Sequence, residues 1–304
     1  MKKRFRKKIL TGIASFVLAA GIAIPVSLQY YTQDQTEKQK SGKHQTVDVS
    51  DANGLLTVHF IDVGQGDSIL IQQGEESMLI DAGENNMGET VVEYLSEQGI
   101  DNLKYAVGTH PHSDHIGGMD DVLNAVKVEE LLLTDMDYDS KTYEEVIDTA
   151  TNLGVQLDYP TVGEEYELGD ATFVIMAPNE DYKDTNNMSL VIKLTYEEVS
   201  YLFMGDAEIE SEYDMMENGL NPQADVLKVG HHGSDTSSSE MIFKSVQPDY
   251  AVISVGEGNS YGHPPQKILN RLQEYQVEYF RTAEEGTIVS VTDGEGISWE
   301  MEKP

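Results

Sequence analysis

Between residues 109 and 118 the chain reads Thr109-His110-Pro111-His112-Ser113-Asp114-His115-Ile116-Gly117-Gly118, so four side chains able to bind a metal fall within six positions. Neutral imidazoles and carboxylate oxygens suit borderline divalent ions. The segment follows a short apolar run at 105–108, which places it on a loop at the end of a strand. His110 and His112 alternate and can point to one side. Asp114 and His115 then turn toward a neighbouring point as the chain enters a helix, with Gly117 and Gly118 letting that helix begin close by. Two ligand pairs side by side imply two metal ions, which in such sites lie about 3.5–4 Å apart. Six of the eight histidines fall in three short glycine-bearing motifs. A surface loop with chance histidines does not explain that concentration.

The other motifs stand far away in the sequence. Met204-Gly205-Asp206 ends the apolar run Tyr201-Leu202-Phe203. A carboxylate there can bridge two cations or cap a helix over 207–217, since Asp is a favoured N-cap; the density of ligands at 110–115 favours the bridge. Lys228-Val229-Gly230-His231-His232-Gly233-Ser234 again puts histidines after an apolar strand. One of the pair, His232 by preference, completes the second metal's shell, while the other holds a ligand or donates to substrate. Ser234 caps the turn or contacts a phosphoryl oxygen. In Tyr261-Gly262-His263-Pro264, His263 can protonate a leaving group, bind a substrate anion or simply hold a turn. Asp81, in Leu79-Ile80-Asp81-Ala82-Gly83, is placed to orient the metal-binding histidines, and Asp67 holds the turn Gly64-Gln65-Gly66-Asp67.

These loops need elements to carry them. Strands are expected at 55–61, 68–71, 77–80, 105–108, 128–133, 172–176, 189–195, 200–204, 226–229, 250–255, 278–280, 287–291 and 297–300. Helices are expected at 88–98, after Gly117-Gly118, and at 142–153, 207–217 and 240–246. A last one runs from Pro264-Pro265 to about 275. Strand clusters interleaved with helices describe an α/β domain with sheets at the centre and helices outside. The two halves of the domain are alike in type.

The chain has 304 residues, no cysteine and a net charge of -34. Without cysteine there is no disulfide, thiolate metal site or cysteine nucleophile. Residues 1–45 hold nine Lys/Arg and two Asp/Glu, and the rest holds 11 and 52. So acidic a surface repels polyanions at long range and argues against tight non-specific DNA binding. Lys2, Lys3, Arg4, Arg6, Lys7 and Lys8 precede an apolar run at about 9–28. That pattern predicts a signal peptide or membrane anchor over 1–31. A polar linker follows at 32–53, then a folded domain at 54–304 that is expected to be extracytoplasmic, secreted or held at the membrane by the N-terminus. No protein partner is predicted.

Taken together the motifs resemble the metallo-β-lactamase fold superfamily, whose signature is carried by His110-x-His112-x-Asp114-His115. Val63-Gly64-Gln65-Gly66-Asp67, His231-His232-Gly233-Ser234 and Tyr261-Gly262-His263-Pro264 are similar to the C-terminal hydrolase domain of ComEC-type DNA-uptake proteins. The resemblance implies an αββα four-layer sandwich with two divalent metal ions at the sheet edge, zinc first and manganese as competitor. Many superfamily members place a further histidine on the first metal. Here the comparable region reads Asp184-Thr185-Asn186-Asn187-Met188-Ser189, and the ComEC-type pattern also carries Asn there. Asn187 is accordingly expected at the substrate.

The chemistry implied is hydrolysis. Two metals would lower the pKa of a bridging water toward neutral pH, Asp114 would orient that water, and the product hydroxide would attack phosphorus or a carbonyl. The resemblance favours phosphodiesters, with DNA and a small wall-polymer or choline phosphate ester as candidates. Nothing names an amide substrate. A metal-bound binding module with little turnover is the alternative from a different class.

Overall fold

A computed structural model describes residues 54–303 of the chain. The expected signal or anchor (1–31) and the expected linker (32–53) lie outside the described residues. Among the described residues fifteen strands form two sheets. In the first half come β1 (Leu56–Phe60), β2 (Ile69–Gln73), β3 (Glu76–Ile80), β4 (Asn102–Gly108), β5 (Lys127–Leu133) and β6 (Gln156–Asp158). The second half has β7 (Glu165–Leu168), β8 (Ala171–Ala177), β9 (Val191–Tyr196), β10 (Val199–Phe203), β11 (Val226–Lys228), β12 (Tyr250–Ile253) and β13 (Glu278–Arg281). The chain then returns with β14 (Ile288–Thr292) and β15 (Ile297–Met301). The sheet orders are β15-β14-β1-β2-β3-β4-β5-β6 and β13-β12-β11-β10-β9-β8-β7.

Both sheets change style midway. β1, β2 and β3 pair antiparallel, and β3 to β6 pair parallel. Likewise β7 to β10 are antiparallel and β10 to β13 parallel. Parallel neighbours need crossovers, and helices supply them. On the first sheet these are α1 (Gly88–Glu97), α2 (Ser113–Ile116), α3 (Met119–Ala125) and α4 (Lys141–Leu153). On the second they are α5 (Ile209–Glu217), α6 (Glu240–Val246) and α7 (Gln266–Glu274); α8 (Thr282–Glu285) follows β13 and leads back to β14 of the first sheet. Local chemistry sets some boundaries: Ser140 caps α4 by accepting from the Tyr143 N–H, and left-handed Gly154 ends it.

The period-two alternation of strand side chains builds the layers. Ile69 and Ile71 join Phe60, Phe173, Tyr201 and Phe203 in the core between the sheets. Leu70, between those two isoleucines, faces the other way and packs with Val91 and Leu95 of α1 and Val146 of α4. Leu202, between Tyr201 and Phe203, packs with Met215, Phe243, Ile268 and Leu272 from α5, α6 and α7. The result is helix, sheet, sheet, helix: an αββα sandwich. Among the described residues no helix is long and apolar enough to cross a membrane.

All the expected strands and helices form, most within two residues of their expected ends. The helix expected at 207–217 starts later, at Ile209 with Glu208 as its N-cap residue, because Gly205 turns the chain at φ 51° first. The short strands β6 and β7 and the single turns α2 and α8 were not anticipated. Gln156-Leu157-Asp158 and Glu165-Tyr166-Glu167-Leu168 are too short and too polar to carry a periodic pattern.

Candidate functional site

The parallel strands β4, β10 and β11 end at one edge of the sandwich, and the loops that follow them carry Thr109–Gly118, Gly205–Asp206 and Gly230–Ser234. Ligands of open parallel sheets bind at such carboxyl ends. Asp206 is the centre, 1% exposed. Its Oδ1 lies 3.2 Å from Nε2 of His115 and 3.5 Å from Nε2 of His232. Its Oδ2 lies 3.9 Å from Nε2 of His110 and 3.6 Å from Nε2 of His231. The two oxygens of one carboxylate thus face two separate groups of imidazoles. His112 joins the second group, with Nδ1 3.0 Å from Nε2 of His110. Asp114 joins the first, with Oδ2 3.4 Å from Nε2 of His232. Asp206 is not the cap of α5.

Supporting groups fix these rings. Asp81 is fully buried and accepts from the Thr109 N–H at 2.8 Å and the Thr109 hydroxyl at 2.7 Å. Its Oδ2 also sits 2.7 Å from Nδ1 of His115, which leaves Nε2 of that ring toward Asp206. The Ser189 hydroxyl accepts from the Asp206 N–H at 3.1 Å and lies 3.3 Å from Nδ1 of His110. His231 and His232 both adopt left-handed backbone, at φ 49° and 52°. Such conformations cost of order 1–3 kcal/mol and persist where the surroundings over-determine them. Gly66 is required by close approach, since a Cβ there would sit 2.3 Å from the Asp114 carbonyl oxygen.

Charge explains what the arrangement can hold. Burial opposes a charge on every group here. It raises the Asp81 carboxyl, and it lowers His110 well below the usual imidazole value, helped by His115 nearby. Burial also works against a charged His115, yet Asp206 and Asp81 outweigh it and hold that ring well above its ordinary value. For His232, burial is outweighed by Asp206, Asp114 and Asp67, and the ring is pushed up to about 9. Asp206 is in turn held well below the carboxylate range by His115 and His232, despite its burial. The field at the two Nε2 atoms therefore favours positive charge, proton or metal.

The residues fit a metal on independent grounds. Nε2 of His115, Nε2 of His232 and Oδ1 of Asp206 are buried and have no hydrogen-bond partner. Leaving such atoms unsatisfied costs about 1–3 kcal/mol each. Together with Asp114 they present one ligand atom each within 4.8 Å of one another. A divalent cation would satisfy all of them. His110, His112 and His231 stand outside that compact group, on the side of Asp206 Oδ2.

The cavity above has a volume of about 490 Å³, and Asp114, His112, His231, His232, His263, Gln65, Tyr138 and Tyr261 are among its walls. His263 is half-buried; burial and the neighbouring His231 and His232 lower its pKa. Among the described residues no Lys or Arg lines the cavity.

Three expectations meet a different geometry. Asn187 is buried, and its Oδ1 accepts from the Glu208 and Ser211 N–H groups at 3.0 and 3.2 Å, so it caps α5; Asn186 lines the cavity instead. Ser234 keeps one of its two expected roles, the cap: it is 4% exposed, and its hydroxyl accepts from the Thr236 N–H at 3.3 Å and lies 3.0 Å from the Thr236 hydroxyl, inside the turn rather than on the cavity wall. Asp67 does more than hold its own turn, because its Oδ2 lies 2.9 Å from Nζ of Lys228 and both side chains are buried. A lysine closing an apolar strand was the available sign that a carboxylate partner must exist.

Comparison with known proteins agrees with this fold. Residues 61–257 match the model of the metallo-beta-lactamase superfamily. The chain is 34% identical to ComE operon protein 3 of Bacillus subtilis, over 76% of this chain and 32% of that protein. It is 27% identical to competence protein ComA of Neisseria gonorrhoeae, over 75% of this chain and 31% of that protein. It thus spans about a third of the length of these curated relatives. Its fold is similar to that of CmlA, a diiron beta-hydroxylase from Streptomyces venezuelae, with a TM-score of 0.51 at 13% identity over 74% of this chain and 52% of that one. A sandwich whose two halves lend histidines and one shared aspartate to a single edge, with this match, belongs to the metallo-β-lactamase superfamily of metal-dependent hydrolases.

Proposed function

We propose that the chain is a dinuclear metal-dependent phosphodiester hydrolase that works outside the cytoplasmic membrane. The observation that carries it is Asp206, whose two oxygens each face a different set of imidazoles. His115, His232, Asp114 and Asp206 would hold one cation, and His110, His112 and His231, on the other side of Asp206, would hold a second. When bound, two such cations supply Lewis acidity toward a phosphoryl group and a nucleophile from water at neutral pH. Zinc is the first choice for this donor set and manganese the second.

The chain's own residues do the rest. Asp114, whose side chain is 25% exposed to the cavity, orients the attacking water. His263, kept neutral by burial and its histidine neighbours, donates an imidazole N–H to the phosphoryl or leaving-group oxygen. Tyr138 and Tyr261 wall the cavity.

The competence relatives support DNA as a substrate. The absence of Lys and Arg from the cavity wall, with Lys228 fully buried, favours instead a short phosphodiester with few negative charges. The location rests on the basic cluster ahead of the apolar run at 9–28, which anchors the chain at the membrane if it is not cleaved. The full-length chain supplied with zinc or manganese is expected to hydrolyse bis-p-nitrophenyl phosphate. Single-stranded DNA and phosphocholine esters offered side by side then separate the two substrate readings. Metal uptake without turnover on any phosphodiester would replace the enzyme by a metal-bound binding module.

A further inference from the structure

Lys228 sits at the end of β11 with no surface exposure, an unusual place for an ammonium group. It donates to the Val229 carbonyl oxygen at 2.9 Å and pairs with Asp67 Oδ2 at 2.9 Å. Asp67 comes from the other half of the sandwich, in the loop between β1 and β2. Its N–H donates to the Asp114 carbonyl at 3.1 Å, and its own carbonyl accepts from the Gly83 N–H at 2.8 Å. The remaining oxygen, Asp67 Oδ1, lies 3.4 Å from Nδ1 of His232. The other neighbour of that Nδ1 is the Ser254 carbonyl oxygen at 3.1 Å.

The Ser254 carbonyl oxygen can only accept, so Nδ1 carries the proton. The lone pair of the neutral ring then stands on Nε2, facing Asp114 and Asp206.

We propose that Lys228 is a positioning residue: its buried ammonium holds Asp67 in place against the Nδ1 edge of His232, and so keeps that ring turned with Nε2 toward the metal. The chain runs from the second half's strand, through the first half's loop, back to the second half's histidine. It therefore also ties the two halves together beneath the site. The proposal rests on the metal-centre reading of the site and not on the phosphodiester reading, and it makes Lys228 unavailable to any substrate phosphate.

The test compares the full-length wild type with Lys228→Met and with the double variant Lys228→Met/Asp67→Asn, reading zinc affinity by competition with a chromogenic chelator and thermal stability without metal. Lys228→Met leaves a buried carboxylate without its partner, so both stability and affinity are expected to fall. The double variant removes both charges and is expected to regain stability, yet to bind zinc about 10- to 100-fold more weakly than wild type, the usual loss when a group orienting a metal ligand is removed. Wild-type affinity in the double variant would overturn the proposal and reduce the pair to a structural tie. A wild type that takes up no zinc would remove the centre itself and the proposal with it. Metal uptake without phosphodiester turnover would leave it standing and refute only the proposed activity.

Discussion

Two regions of this molecule bury a histidine, and they treat it in opposite ways. His59 lies on β1, with Nδ1 2.8 Å from the Tyr94 hydroxyl and Nε2 3.2 Å from that of Thr57. Its hydroxyl neighbours offer no charge, and burial lowers its pKa to about 4. His232 at the sheet edge is at least as buried, but carboxylates of Asp206, Asp114 and Asp67 surround it and raise it to about 9. Burial by itself makes a neutral ring that serves packing. Burial among carboxylates makes a seat for a cation. The comparison locates the function in the acidic groups that converge on the rings, rather than in the histidines alone.

The sharpest way to break the comparison is to remove the shared carboxylate. Asp206→Ala is expected to abolish metal-dependent turnover to background and to cut zinc affinity by at least about 100-fold, beyond what loss of an orienting group alone produces. Direct titration and a bis-p-nitrophenyl phosphate assay check both. An Asp206→Ala protein that still turns over would mean that the two imidazole groups do not need their bridge.

The neutral side of the comparison predicts a stability effect. His59 has a folded-state value near 4, below the unfolded value of about 6.5. Between those values the unfolded chain holds the proton and the folded one does not. Stability is therefore full above about pH 6.5 and is lost as pH falls toward 4, by up to about 3 kcal/mol. Urea unfolding at pH 7.5 and 4.5 should show this acid loss shrinking in His59→Gln. An unchanged loss would place the acid sensitivity elsewhere.

Asp81→Asn sharpens the charged side. Asp81 has φ 58°, which asparagine tolerates, so the backbone should be kept while the charge on His115 Nδ1 is lost. Zinc affinity is expected to drop by about 10- to 100-fold. The smallest effect belongs to Asn187→Ala, which removes the cap of α5 and should lower stability by about 1–2 kcal/mol while leaving KM for a phosphodiester unchanged. A raised KM with unaltered stability would return Asn187 to the substrate.

How much of this was legible depended on how local the cause was. The layers follow from alternation such as Ile69-Leu70-Ile71 and Tyr201-Leu202-Phe203, which any single strand displays. The group at His110, His112, Asp114 and His115 is visible because it lies on one loop. Asp206 stood between two readings, and only the turn at Gly205 and the late start of α5 separate them. The Lys228–Asp67 pair joins positions 161 residues apart, so no window of sequence contains it. Asn187 and Asn186 are neighbours in sequence, and the choice between cap and cavity wall depends on the single 3-10 turn at Asn186–Met188. Ser234 stood between capping its turn and meeting a phosphoryl oxygen, and the Thr236 N–H two residues on, which its hydroxyl accepts at 3.3 Å, takes the first.

The most direct measurement is the metal content of the purified full-length chain, saturated with zinc or manganese, desalted and analysed for bound metal alongside Asp206→Ala. Two ions per wild-type chain, with the variant retaining at most one, is the outcome this account predicts. A wild-type chain that retains none, or a variant that retains both, would contradict it.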